Sequence, residues 1–197
     1  LQRELGLPEN PDIPLIGIVT RLTWQKGLDL IFDKIEELLN RDVQIVLLGS
    51  GDRHYEEGLS YWAGVYPEKF SCNLKYDFPL SCRIYASCDM FLMPSLFEPC
   101  GLSQMMSLRY GTIPIVRETG GLKDSVVPYN EYNMTGTGFS FAHYNSDEMM
   151  SVIDYATHIY HDKAHWDHIV ASAMSEKLDW EASGKQYIEA FEALLNE

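Results

Sequence analysis

Arg21 and Lys26 stand five residues apart in the stretch TRLTWQKG, directly behind an apolar run, with Gly27 opening a helical segment just after them. Two cations and the free N–H groups of a helix start can point at one spot, which is the chemistry of a phosphate site. Gly101, Leu102 and Ser103 make a second such start, where unsatisfied amides and the helix dipole also favour an anion. Two termini of this kind facing each other could hold a diphosphate. In PSLFEPCGLSQ, Glu98 sits directly behind Phe97 and before Pro99, a carboxylate that is presented more than solvated. Tyr76 closes another apolar run, where its ring can stack on a base face or simply pack. Gly120 and Gly121 in RETGGLKD supply positive φ, close backbone approach, or no more than a sharp strand-to-helix turn. LGSGD is too short for a dinucleotide fingerprint and reads as a tight turn that leaves backbone close to a ligand.

These residues need a scaffold, and the apolar patterning supplies one. Runs of about five apolar, β-branched residues alternate with longer segments of helical period, the pattern of βα units around a parallel sheet. The predicted strands are LIGIVT (15–20), VQIVLLG (43–49), FSCNLKY (70–76), DMFLMP (89–94) and TIPIV (112–116), with a shorter sixth at GFSF (138–141). Leu28, Ile31, Ile35, Leu38 and Leu39 recur every three to four residues and predict one helix with an apolar stripe. Asp179 predicts the cap of a terminal amphipathic helix carrying Trp180, Tyr187, Phe191 and Leu194 along one face. The division expected is a boundary segment over 1–14, a Rossmann-like domain over 15–178 and a C-terminal helix over 179–197. In such a sheet ligands sit beyond the carboxyl ends of the strands, and the notable loops all fall there.

Composition narrows the partners. At 197 residues and 46% hydrophobic content, the chain suits one well-packed domain. A formal net charge of -14 argues against coating nucleic acid or an anionic membrane, so an anionic ligand must meet a local cluster of cations. No apolar run reaches eighteen residues, and LQRELGLPEN does not read as an export signal. Cys72, Cys82, Cys88 and Cys100 lack zinc-knuckle spacing and read as reduced thiols. His158, His161, His165 and His168 fall in steps of three and four, but Asp162 interrupts them and the expectation is a solvated helix pair, not a metal stripe. Met105 and Met106 read as core filler.

TRLTWQKGLDLI, VLLGSGD, RIYASCDMFLMPSLFEPCGL, LRYGTIPIVRETGGLKDSV and the closing W…Y…F helix, taken together, resemble the C-terminal domain of bacterial glycogen synthases and plant starch synthases over about residues 15–195. The resemblance implies an α/β fold, a Rossmann-like parallel sheet with helices on both faces, as the C-terminal half of a retaining GT-B glycosyltransferase. Such an enzyme moves glucose from ADP-glucose to the 4-hydroxyl at the non-reducing end of an α-1,4-glucan. It implies no cofactor and no metal, a cytoplasmic location in a bacterium or a plastid in a plant, and an N-terminal domain as partner. By position, Arg21 and Lys26 match the pair that grips the diphosphate, Tyr76 the residue that stacks on adenine, and Glu98 the acid that faces the donor glucose. Gly101, Leu102 and Ser103 match the helix start that receives the phosphates.

The sequence departs from that pattern at Leu96, where Arg is usual, at Cys82, where His is usual, and in YDFPLS. Glu118 in RETGG is the variant associated with the bacterial members. Two other readings stay open at this point: a GT-B transferase that uses another nucleotide sugar, and a non-catalytic glucan-binding or scaffolding module. Against the first, the second acidic residue of such transferases would fall on Met106.

Overall fold

The computed structural model describes residues 1–195. Six parallel strands, β1 (Leu15–Val19), β2 (Gln44–Leu48), β3 (Phe70–Asn73), β4 (Met90–Met93), β5 (Ile113–Arg117) and β6 (Phe139–Phe141), form one sheet in the order β3-β2-β1-β4-β5-β6. Each predicted strand is present; five are trimmed by one to three residues, and β5 is shifted by one, losing Thr112 and gaining Arg117. The helices are α1 (Leu28–Leu39), α2 (Arg53–Val65), α3 (Phe78–Ser87), α4 (Ser103–Tyr110), α5 (Gly120–Ser125), α6 (Ser146–His161), α7 (Lys163–Ser175) and α8 (Trp180–Leu195), with short 3₁₀ turns at Arg3–Leu5 and Trp24–Lys26.

Strand periodicity splits the core in two. Ile16 and Ile18, Ile45 and Leu47, Met90 and Leu92, and Ile113 and Ile115 share one buried cluster with the stripe of α1 and with Leu59, Ile153 and Ile169 of α2, α6 and α7. The alternate residues Leu15, Val46, Leu48 and Phe91 pack with Leu80, Ile84 and Tyr85 of α3. Val116 meets Leu122 of α5 on a smaller patch. A sheet buried on both faces explains why its strands read as continuous apolar runs. The patterning predicts βα units around a parallel sheet, and this is the α/β Rossmann-like sheet with helices on both faces that the family resemblance implies.

Segment 1–14 packs at the amino ends of the strands: Leu7 is buried, the Gln2 amide donates to Gln44 Oε1 (2.8 Å), and Gln44 Nε2 donates to the Pro8 carbonyl (2.9 Å). At the other terminus Asp179 caps α8, accepting from the Ala182 amide (2.9 Å). No residue of α8 is buried, and Trp180, Tyr187, Phe191 and Leu194 all stand exposed. Residues 196 and 197 of the predicted C-terminal helix lie outside the described residues.

The histidines divide between two helices. Asp162 ends α6 and caps α7, accepting from Ala164 and His165, while His165 Nδ1 pairs with the Tyr129 hydroxyl (2.8 Å). Met106 is not core: it is 43% exposed on α4 and, with Met105 and Leu178, lines an apolar groove of about 410 Å³ between α4 and the segment after α7. The core-facing side of α4 carries Gln104, Ser107 and Leu108 instead. Among the described residues no helix is long and apolar enough to cross a membrane.

Candidate active site

Strand order reverses between β1 and β4, one leading outward through β2 and β3, the other through β5 and β6. Loops leaving the carboxyl ends of these two strands diverge and open a crevice. A cavity of about 280 Å³ lies there, lined by Thr20 and Lys26 from the β1 side, Ser95 and Glu98 from the β4 side, and Gly101, Leu102 and Ser103 at the start of α4. A second, of about 230 Å³, adjoins it across Val19 and Thr20 and is lined by Arg21, Gly49, Lys75, Tyr76, Asp77 and Phe78.

Lys26 and Glu98, 72 residues apart in sequence, meet in the first cavity: Lys26 Nζ lies 2.6 Å from Glu98 Oε2, with both side chains largely buried. The contact is forced by backbone packing. The Leu96 amide donates to the Gln25 carbonyl (3.0 Å), and Gly27, at φ 76°, lies so close to Pro94 that a Cβ there would sit 1.9 Å from its carbonyl oxygen. Only glycine combines that dihedral with that approach. Ser95 Oγ donates a longer bond to the same carboxylate oxygen (3.3 Å). Glu98 is 8% exposed, so the carboxylate is held by its partners and not by bulk water.

The start of α4 faces this pair. Leu102 precedes the helix without a side-chain cap, so the first amides of α4 keep their hydrogen-bonding capacity. Tyr85 donates its hydroxyl to Ser103 Oγ (2.9 Å), and burial raises the Tyr85 phenol above its ordinary value, keeping it a donor. Gln104, fully buried, straps the turn by donating to the carbonyls of Cys100 (3.1 Å) and Gly101 (3.0 Å).

Gly120 and Gly121 pack from the β5 side. The Gly121 amide donates to the carbonyls of Glu98 and Pro99 (both 3.2 Å), and a Cβ on Gly120 or Gly121 would come within 2.2 Å of the Glu98 carbonyl oxygen or 2.0 Å of that of Cys100. Both glycines make a close backbone approach, and Gly120 also adopts positive φ (44°) at the turn into α5. What they approach is the loop that carries Glu98.

Arg21 and Tyr76 are brought together in the second cavity. Arg21 is exposed and takes no side-chain partner among the described residues; Tyr76 is 89% exposed. An 89% exposed ring at the mouth of a cavity is not serving as core. Asp77 beside it accepts from the Leu80 amide at the start of α3 (2.9 Å) and pairs with Lys75 (2.8 Å), which fixes the turn that projects the tyrosine. Exposed Phe78 adds a second ring to this wall.

Four participants are not signalled by motif spacing: Thr20, which lines both cavities, Ser95, Gln104 and Arg117. The last had a readable signal, a charged residue closing an apolar strand at the functional edge of the sheet.

Fold and crevice together define a Rossmann-like α/β domain that matches the structures of GT-B glycosyltransferases. The chain belongs to the group 1 glycosyl transferases, whose family model, Glycosyl transferases group 1, matches residues 3–168. It is 54% identical over 195 residues to a glycogen synthase of Clostridium perfringens, covering 99% of this chain and 40% of that protein. It is 52% identical over 194 residues to a glycogen synthase of Clostridium beijerinckii, covering 98% and 40%. Among solved structures, the catalytic domain of starch synthase IV from Arabidopsis thaliana, bound to ADP and acarbose, superposes with a TM-score of 0.88 at 36% identity, covering 100% of this chain and 41% of that one. The chain thus spans about two fifths of the length of these relatives.

Proposed function

We propose that this chain is the donor-binding part of a retaining glucosyltransferase that moves glucose from ADP-glucose to the non-reducing 4-hydroxyl of an α-1,4-glucan. The observation that carries the reading is the convergence of Lys26, Glu98 and the uncapped start of α4 in one cavity, with Arg21 and Tyr76 in the next. The two cavities, joined across Thr20, match the two ends of a nucleotide sugar.

In this reading the adenine lies against Tyr76, within reach of Phe78, and the diphosphate bridges Arg21, Lys26 and the amides of Gly101, Leu102 and Ser103. As the bond from the anomeric carbon to the leaving phosphate breaks, negative charge grows on the departing oxygen. Lys26, Arg21 and the helix start stabilise that charge, each good charged donor contributing about 3 kcal/mol in a site shielded from water. Lys26 carries three N–H donors, so it can hold Glu98 and a phosphate oxygen together. Glu98 faces the sugar, accepts from its hydroxyls and stabilises positive charge at the anomeric carbon. Gly120 and Gly121 act on the donor through the Glu98 loop they support.

No metal or cofactor enters this scheme. The acceptor glucan and a second, N-terminal domain complete the cleft, and the exposed apolar face of α8 is the surface offered to that domain. The location is the bacterial cytoplasm, in keeping with the organisms of the similar glycogen synthases.

Calorimetric titration with ADP, UDP and AMP tests the reading. The expected result is saturable binding that prefers ADP and weakens in both Arg21→Ala and Tyr76→Ala. Preference for UDP would replace the donor. Glucan binding that survives loss of both Arg21 and Lys26, without nucleotide binding, would make the chain a carbohydrate-binding module.

A further inference from the structure

Arg117 ends β5 pointing over the carboxyl edge of the sheet, and its guanidinium spends itself on backbone. Its Nε donates to the Ser95 carbonyl (2.7 Å), one terminal nitrogen donates to the Leu96 carbonyl, and the other reaches the Ala142 carbonyl (3.5 Å) beyond β6. The ring of Tyr144 lies under its cationic carbon at 5.9 Å. Among the described residues Arg117 forms no ion pair within 4 Å. An arginine that neutralises no carboxylate but forks two consecutive carbonyls is placed for geometry, because its planar donors fix both peptide planes at once.

Those two carbonyls belong to the turn that delivers Glu98. Ser95 is 2% exposed, and its hydroxyl donates to Glu98 Oε2; the Leu96 amide donates to Gln25, next to Lys26. One side chain therefore anchors, through a single turn, both members of the Lys26–Glu98 pair. It touches neither Arg21 nor Tyr76, which stand in the other cavity.

We infer that Arg117 is a positioning residue that sets the place of Glu98 against the donor sugar, acting through the Ser95–Leu96 turn and not on the nucleotide. The inference rests on the function proposed above. Displacement of a reacting group by about 1 Å can cost on the order of a hundredfold in rate. Loss of the fork therefore appears in turnover while nucleotide affinity is kept.

The experiment uses the full-length enzyme and compares Arg117→Met, Arg117→Lys, Glu98→Gln and the Arg117→Met/Glu98→Gln double variant. Arg117→Met is expected to lower kcat by roughly thirtyfold or more, with the KM for ADP-glucose and the Kd for ADP each within about threefold of wild type. Arg117→Lys, which can reach one carbonyl at a time, recovers part of the loss. In the Glu98→Gln background the same Arg117→Met change costs less than about threefold, because the group it positions is already disabled. Hydrogen exchange in the peptide over 95–101 rises in Arg117→Met.

Equal cost in both backgrounds, or a loss confined to ADP affinity, would overturn the inference. If Arg117→Met does not fold, the Arg117→Lys pair of backgrounds decides by the same criterion. If wild-type enzyme transfers no glucose from ADP-glucose, the proposed function falls on that arm alone, and unchanged exchange over 95–101 in the folded variant then overturns the hold of Arg117 on the turn.

Discussion

Lys26 and Glu98 form an ion pair that is largely removed from water, and such a pair has two consequences. Removing one partner strands the other in a poorly solvated site, which typically costs about 3 to 5 kcal/mol. In the proposed reaction it also removes a cation from the leaving phosphate. Lys26→Ala in the full-length enzyme is therefore expected to lower kcat by about a hundredfold or more, and near-normal turnover would take Lys26 out of the mechanism. Gly121 is a residue of a different kind, whose contribution is the absence of a side chain. With a Cβ placed 2.0 Å from the Cys100 carbonyl oxygen, Gly121→Ala must push the Glu98 loop away or unseat α5. The expected cost is about 1 to 3 kcal/mol, read as a midpoint fall of roughly 2 to 4 °C per kcal/mol in thermal melting. An unchanged midpoint would mean that the loop gives way freely.

At the scale of elements, the loops after β1 and β4 are held by distant segments, whereas the turn before α3 is held from within. The β1 loop leans on Pro94, the β4 loop on Gln25, Gly121 and Arg117, and the turn before α3 on Asp77. Asp77 titrates below the usual carboxylate range, chiefly through its bond with Lys75 and then through the Leu80 amide. Its folded value is depressed, so its contribution is present above the unfolded value near ~3.9 and is lost as pH falls through the folded value. Asp77→Asn keeps a capping oxygen and deletes the charge. The melting midpoint of this variant should lie below wild type at neutral pH, and the gap should close below about pH 4. A gap constant with pH would assign the whole effect to the cap's shape. The terminal helix is the counter-example among the elements: its cap and its apolar stripe were legible in the sequence, yet no residue of it is buried.

At the scale of the molecule, an acidic chain holds an exposed cation, Arg21, beside an exposed tyrosine and a largely buried one, Lys26, a few residues further along the same loop. The global field repels an anionic donor, so recognition depends on groups in direct contact. In the function proposed above, this chain carries one wall of the cleft. The isolated chain is accordingly expected to form no labelled glucan from ADP-glucose and glycogen, whereas the full-length enzyme does. Product from the isolated chain would show that this wall suffices for transfer.

The strands, the apolar stripe of α1, the cap of α8 and the cluster of polar motifs at the carboxyl edge were all determined by the sequence alone. They depend on periodicity, turn chemistry and the residues nearest in the chain, which are local properties. The pairing of Lys26 with Glu98 was not local. The two are 72 residues apart, and what joins them is the placement of β4 next to β1, a sheet order that no single segment encodes. The same holds for Arg117, whose partners come from the loops after β4 and β6, and for Gly121, whose use is visible only once the Cys100 carbonyl stands against it. Met106 shows the limit from the other side: an apolar residue on a helix reads as core until the rotation of that helix on the sheet is known. Local pattern fixes which groups reach the edge of the sheet; packing between distant segments decides which of them meet.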